Sequence, residues 1–207
     1  MEIKRKGLML VLSSPSGAGK TSICKKILEF DSKIVMSTSY TTRPKRRSEK
    51  NGVDYFFVSK DEFTYLCEKN FFVEYANVFD HWYGTPKKFI EDNIEKGIDI
   101  IFDIDWQGAQ KLSDFSRTDM VSVFILPPSN KALLERLKKR AEDSSAIVKR
   151  RMSKAKSEIS HWIEYDYVLV NENIKKCTDQ IITILNAERN KRSRQKFIFE
   201  FTEKLMS

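Results

Sequence analysis

The chain has 207 residues, 41% of them hydrophobic, and a formal charge of +8. Such a length supports one substantial α/β core with small inserted parts, and the composition is that of a folded chain rather than a disordered one. No apolar run approaches the roughly 20 residues of a membrane-spanning helix, and no signal-peptide pattern follows Met1-Glu2-Ile3-Lys4-Arg5-Lys6-Gly7, so a soluble cytoplasmic protein is expected.

In chain order, the first element is an apolar strand over 8–13, followed by Ser14-Pro15-Ser16-Gly17-Ala18-Gly19-Lys20-Thr21 and a helical pattern over 20–30. Strand, small-residue loop and Lys-Thr at a helix start form the layout of a phosphate-binding loop. Glycines let backbone N–H groups turn toward phosphate oxygens, the lysine reaches the outer phosphates, and the threonine hydroxyl suits Mg²⁺. The strict G-x-x-x-x-G-K-[ST] pattern is met at Gly19, Lys20 and Thr21, with Ser14 at its first glycine. A plain strand-turn-helix with a solvated lysine shares this outline, but the context on both sides favours a nucleotide binder.

Next come short β segments rich in Thr and aromatics at 37–43, 53–58 and 71–75. Between the last two, Ser59-Lys60-Asp61-Glu62 forms a capping box that opens a helix. Alternation of helix and strand then resumes. Pro86 starts a helix that Gly97 ends, and strands follow at 98–103 and 121–126. A charged helical stretch over 129–163, broken near 142–145, precedes a strand at 167–170. The last long helix carries an apolar stripe of Ile174, Cys177, Ile181 and Leu185. The alternation implies an α/β fold with a mostly parallel sheet covered on both faces, binding ligands at the carboxyl ends of its strands.

Cys24, Cys67 and Cys177 lack metal-ligand spacing and read as reduced, packed thiols, while His81 and His161 have no Cys or His partner nearby in sequence. The positive charge is dispersed over 4–6, 43–47, 136–140, 149–156 and 189–196. That distribution suits a polyphosphate site and solvated helix faces at least as well as a nucleic-acid stripe.

After the loop, the chain carries Thr41-Thr42-Arg43-Pro44-Lys45-Arg46, Glu49-Lys50-Asn51-Gly52-Val53-Asp54-Tyr55, Val73-Glu74-Tyr75-Ala76, Trp82-Tyr83-Gly84-Thr85 and Phe102-Asp103-Ile104-Asp105-Trp106-Gln107-Gly108-Ala109-Gln110. On these motifs it resembles the bacterial-type guanylate kinases across 7–194. The resemblance implies transfer of the γ-phosphoryl group of ATP to GMP, and by extension dGMP, giving ADP and GDP in purine nucleotide metabolism, with Mg²⁺ as cofactor. It implies a P-loop kinase fold: a parallel sheet core flanked by helices (7–36, 86–135 and 160–192), a small β-rich GMP-binding insert (37–85) and a helical lid (136–159). A basic tail helix over 193–207 would follow.

Residue by residue, the resemblance assigns ATP to Ser14, Pro15, Ser16, Gly17, Ala18, Gly19, Lys20, Thr21 and Asn171, the last near the adenine. Arg43 and Arg46 match the pair that holds the GMP phosphate, where guanidinium forks suit a dianion. Tyr55 and Tyr83 match neutral phosphate donors. Glu74 matches the guanine reader, since a carboxylate only accepts and guanine presents N1–H and a 2-amino group side by side. Asp105 matches a second acid beside the base, and Ser39 and Thr85 match hydroxyl donors. Thr21 and Asp103 match the Mg²⁺ site, Asp103 acting through water. Lys20, Arg43, Arg136, Arg140 and Arg151 match the catalytic cations. The departures are Ser14, Ser48 where a glycine is usual, and Ala141 where the lid usually has glycine.

Other readings remain beside this one. A non-catalytic interaction module of the same fold would be expected to lack Lys20 and the lid arginines. Glu74 with Asp105 disfavours a kinase for another monophosphate, and the absence of N-K-x-D disfavours a GTPase. The partners implied are small-molecule ATP and GMP, with no membrane and no strong case for nucleic acid. Monomer and homo-oligomer stay equally open.

Overall fold

A computed structural model describes residues 5–47, 49–78, 80–139 and 145–207. Ser48, Arg140 and Ala141 therefore lie outside the described residues.

Strand β1 (Met9–Ser13) is buried along its whole length, which is why it reads as a continuous apolar run rather than an alternating one. Its residues feed two cores on opposite faces. Leu10 and Leu12 pack with Ile23 and Ile27 of α1 (Lys20–Phe30). After α1 come β2 (Ile34–Met36), β3 (Tyr40–Thr41), β4 (Phe56–Phe57), α2 (Lys60–Glu68), β5 (Phe72–Val78) and β6 (His81–Pro86). The chain continues through α3 (Lys87–Glu95), β7 (Asp99–Asp103), α4 (Trp106–Ser116), β8 (Met120–Leu126), α5 (Asn130–Lys139) and α6 (Ser145–Ser160). It ends in β9 (Tyr167–Val170), α7 (Ile174–Arg189) and α8 (Ile198–Met206).

The main sheet has the order β2-β7-β1-β8-β9, and each of its pairings is parallel. Helices α1 and α7 cover one face, with Cys177, Ile181 and Leu185 docking on Leu8, Leu10 and Leu12. Helices α3 and α4 cover the other through Ile90, Ile94 and Leu112 against Met9 and Val11. At the amino ends of the strands, Asp99 is fully buried and bonded by Arg5 at 2.6 and 2.8 Å, by the Leu8 N–H at 3.0 Å and by Arg189 Nε at 2.6 Å. A buried carboxylate is costly unless saturated in this way.

The second sheet has the order β4-β3-β6-β5, antiparallel except for the β3–β4 pair. Aromatic rings form its core: Phe63 of α2 stacks on Phe72 at 4.7 Å, and Tyr40 stacks on Phe56 at 4.7 Å. Ser59 caps α2 by accepting from the Glu62 N–H, the capping contact its sequence calls for. The β segments expected at 37–43 and 53–58 are shorter, reduced to Tyr40–Thr41 and Phe56–Phe57. Pro44 and the Asn51-Gly52 turn draw the flanking residues out of the ladder. Gly52 takes φ +75° and Asn51 Oδ1 accepts the Phe57 N–H.

Helices α5 and α6 pack on each other through their own small cluster, Leu133, Leu137, Val148 and Ala155, separate from the two main cores. A fully buried Leu or Val side chain contributes about 1.5–3 kcal/mol, so three of these and one alanine hold this pair far less firmly than the sheet holds its flanking helices. Among the described residues no helix is long and apolar enough to cross a membrane.

Candidate active site

The phosphate loop leaves β1 and enters α1 with left-handed backbone at Gly17 (φ 93°) and Gly19 (φ 103°). Ser14 has no positive φ, so a serine at the first position of the motif introduces no backbone strain. The loop is braced from outside. Ala18 O accepts from Asn171 Nδ2 at 2.7 Å and Arg136 Nη1 at 3.3 Å, and the Ser16 N–H donates to Glu158 Oε2 at 3.2 Å. A Cβ on Gly19 would stand 2.6 Å from Asn171 Nδ2, so the close approach of Asn171 needs glycine there.

Lys20 turns back over the loop. Its Nζ is 2.7 Å from Asp103 Oδ1 and donates to Ile104 O at 2.9 Å. Burial works against its ammonium, and the Asp103 carboxylate more than offsets that, so its pKa stands above the ordinary lysine value. Thr21 Oγ1 donates to Asp103 Oδ2 at 2.7 Å. Asp103 closes β7, the neighbour of β1, and so the parallel pairing of two strand ends brings a lysine, a hydroxyl and a carboxylate to one point.

Around them lies a cavity of about 470 Å³, bordered by the loop residues Ser14 to Gly17, by Gly19, Lys20 and Thr21, and by Arg136, Glu158 and Asn171. A second cavity of about 210 Å³ opens between the two sheets, lined by Ser39, Tyr55, Glu74, Tyr83 and Gly108. Lys20, Asp103 and Asp105 line both.

In the second cavity Glu74 is 4% exposed and accepts from Thr85 Oγ1 at 2.6 Å. Burial raises its pKa to about 7, against the opposing Thr85 hydroxyl. Asp105 caps α4 through Oδ1, which accepts the Gly108 N–H at 3.0 Å, and its buried Oδ2 has no hydrogen-bond partner among the described residues. Two carboxylate edges thus face a small cavity with acceptor capacity to spare, an arrangement complementary to a ligand with adjacent N–H donors.

The residues of 6–188 match the sequence model of guanylate kinases. The chain belongs to the guanylate kinase family. It is 50% identical over 204 residues to a guanylate kinase of Novosphingobium aromaticivorans, covering 99% of this chain and 92% of that one. It is 48% identical over 205 residues to one of Zymomonas mobilis, at 99% and 95% coverage. The crystal structure of guanylate kinase from Anaplasma phagocytophilum superposes with a TM-score of 0.83 at 44% identity, covering 97% of this chain and 95% of that one.

Within this guanylate kinase fold, the expected donor residues gather around the first cavity, except that Ala18 presents its carbonyl to the braces instead of lining it. Asn171, expected near a base, is fully buried with one amide hydrogen committed to the loop. Of the expected acceptor residues, Ser39, Tyr55, Glu74, Tyr83 and Asp105 line the second cavity, with Thr85 behind Glu74. Arg43 sits outside that lining, 5.3 Å over the Tyr55 ring, and Arg46 is exposed on the adjoining loop. Arg136 bonds Ala18 O and Asn171 O, and Arg151 is half-buried on α6.

Two site residues were not singled out by sequence. Glu49 receives both arms of the Arg43 fork at 2.7 and 3.1 Å and also the Arg46 N–H at 2.8 Å. Its signal was its position just beyond both arginines. Glu158, on α6, carried no local signal, since its partner is Ser16. A further cavity, of about 640 Å³, lies elsewhere, near the amino ends of β8 and β9. Among its lining charges Lys6 pairs with Asp119, Arg117 with Asp166 and Lys191 with Glu188, and Arg194 is buried beside Glu188.

Proposed function

We infer that the two cavities are the donor and acceptor sites of one phosphoryl transfer. As a member of the guanylate kinase family, the chain phosphorylates GMP at the expense of ATP. The observation that carries the residue-level reading is the shared wall: Lys20, Asp103 and Asp105 border both cavities, so ligands in the two would meet there.

In this reading Lys20 and the loop N–H groups beyond Ser16, whose own N–H is held by Glu158, take the ATP phosphates. Lys20 follows negative charge as it moves from the leaving to the accepting oxygen. The acceptor is already a phosphate oxygen, so no general base is required. Thr21 and Asp103 offer two hard oxygen donors 2.7 Å apart beside Lys20, a donor set that fits Mg²⁺. They would hold the ion, whose chemistry is to neutralise phosphate charge. Glu74 and Asp105 read the guanine edge. Arg43 and Arg46, with Tyr55 and Tyr83, take the GMP phosphate; the Glu49 carboxylate keeps the Arg43 fork formed and aimed. Arg136 and Arg151 approach the donor phosphates from α5 and α6, and closure of these helices excludes water that would otherwise accept the phosphoryl group.

A coupled ADP-release assay with ATP, Mg²⁺ and each of GMP, AMP, CMP and UMP tests this. ADP release is expected with GMP and near background with the other three. Equal turnover with AMP would remove Glu74 and Asp105 from base reading.

A further inference from the structure

Glu158 is 8% exposed and lines the cavity read as the ATP site, where phosphates, themselves anionic acceptors, call for donors rather than a second anion. It accepts the Ser16 N–H at 3.2 Å, and Lys154 stands 4.0 Å away on the preceding turn of α6. Burial raises its pKa, and the Ser16 N–H and Lys154 oppose that rise. A carboxylate retained under this penalty needs a structural return, and its bond runs between parts of the molecule that otherwise share little. The α5–α6 pair has its own cluster, and its grip on the body near the loop is made by side chains: Glu158 on Ser16, Arg136 on Ala18 O, and Leu133 and Leu137 close to Gly17.

Helix geometry gives the bond a consequence. Residues 151, 154 and 158 fall on one face of α6, because side chains three, four and seven positions apart align along a helix. Fixing Glu158 on the phosphate loop therefore fixes the rotation of that face, and with it the direction of Arg151. We propose that Glu158 is a positioning residue for phosphoryl transfer: it ties α6 to the phosphate loop and so sets the Arg151 side chain relative to the donor phosphates. This rests on the reading of the larger cavity as the ATP site. The bond depends on acceptor reach rather than on charge, so glutamine should serve where aspartate, one methylene shorter, cannot.

The test is steady-state kinetics with ATP, Mg²⁺ and GMP on wild type, Glu158→Ala, Glu158→Gln and Glu158→Asp, with thermal melts on each. Glu158→Ala and Glu158→Asp should lower kcat about tenfold or more, the scale of losing a charged hydrogen-bond partner, with the GMP KM within about twofold of wild type. Glu158→Gln should keep kcat within about threefold. Alanine within twofold of wild-type kcat overturns the proposal, as does aspartate matching glutamine, or a kcat loss that tracks the melting temperature across all three variants. Absence of GMP-dependent ADP release in the wild type would instead overturn the functional reading beneath it.

Discussion

The two cavities meet at a shared wall but are built differently. The larger cavity, proposed as the donor site, is built around backbone: a loop of consecutive residues, two left-handed glycines and the ends of the paired strands β1 and β7, bordered by side chains such as Arg136 and Glu158. The smaller cavity, proposed as the acceptor site, is lined by side chains of the β-rich insert, brought from separate segments at Ser39, Tyr55, Glu74 and Tyr83. Backbone sites bind what all triphosphates share, whereas side-chain sites distinguish one base from another. Substitutions on the two sides should therefore fail differently.

The largest effect is expected at the wall. Lys20→Ala should lower kcat by about 10³-fold, the scale of losing a donor aimed at developing charge, with GMP affinity little changed. A stopped assay for ADP, read beside equilibrium GMP binding, separates the two, and near wild-type kcat would dissolve the proposed transfer role.

On the acceptor side, Glu74→Gln replaces an acceptor with a mixed amide and should lower kcat/KM for GMP by about 10²-fold or more, since sites built on polar complementarity discriminate strongly. The GMP-to-AMP ratio should narrow in the same experiment. An unchanged ratio would place base reading elsewhere and blur the distinction between the cavities.

A smaller effect is expected from Arg43→Lys. A point charge cannot reproduce the fork that now engages Glu49, so kcat/KM for GMP should fall about tenfold while the ATP KM stays within about twofold. Equal losses for both substrates would mean a general charge effect.

The smallest is a pH effect. With its pKa at about 7, the Glu74 carboxyl of the free protein is largely protonated at pH 6 and ionised at pH 8. Guanine donors need the anion, so GMP should bind several-fold more tightly as pH rises through 7. Stability without ligand runs the other way. A carboxyl whose pKa is raised on folding binds protons more readily folded than unfolded, so its contribution declines between the ordinary carboxylate range and pH 7. The phosphate of GMP also titrates near pH 6, a slope that Glu74→Gln retains, so the difference between the two profiles isolates Glu74.

The same contrast governs how much was legible in the sequence. Loop, α1 and β9 are encoded by neighbouring residues, and their expected spans, 20–30 and 167–170, agree with the structure. The strand β6 and the helix α4 were not expected. Trp82, Gly84 and Thr85 do not alternate cleanly, and Gly108 interrupts the helical pattern of α4, where it leaves room beside Glu74. Glu158 is defined by a partner far away in sequence, which no local pattern marks, whereas Glu49 lies only three and six residues from its partners.

The central place of β1 has a consequence for how the molecule is made. Its two ladder partners, β7 and β8, end at Asp103 and Leu126, so the strand beneath the phosphate loop waits for the chain to reach residue 126 of 207 before both sides are paired. Parallel pairings across such separations form late, because the intervening segment must be ordered first. During synthesis the loop that is read earliest in the sequence therefore waits on later strands: Leu10 to Leu12 can pair with β7 once Asp103 has emerged, and their other edge stays open until β8 follows.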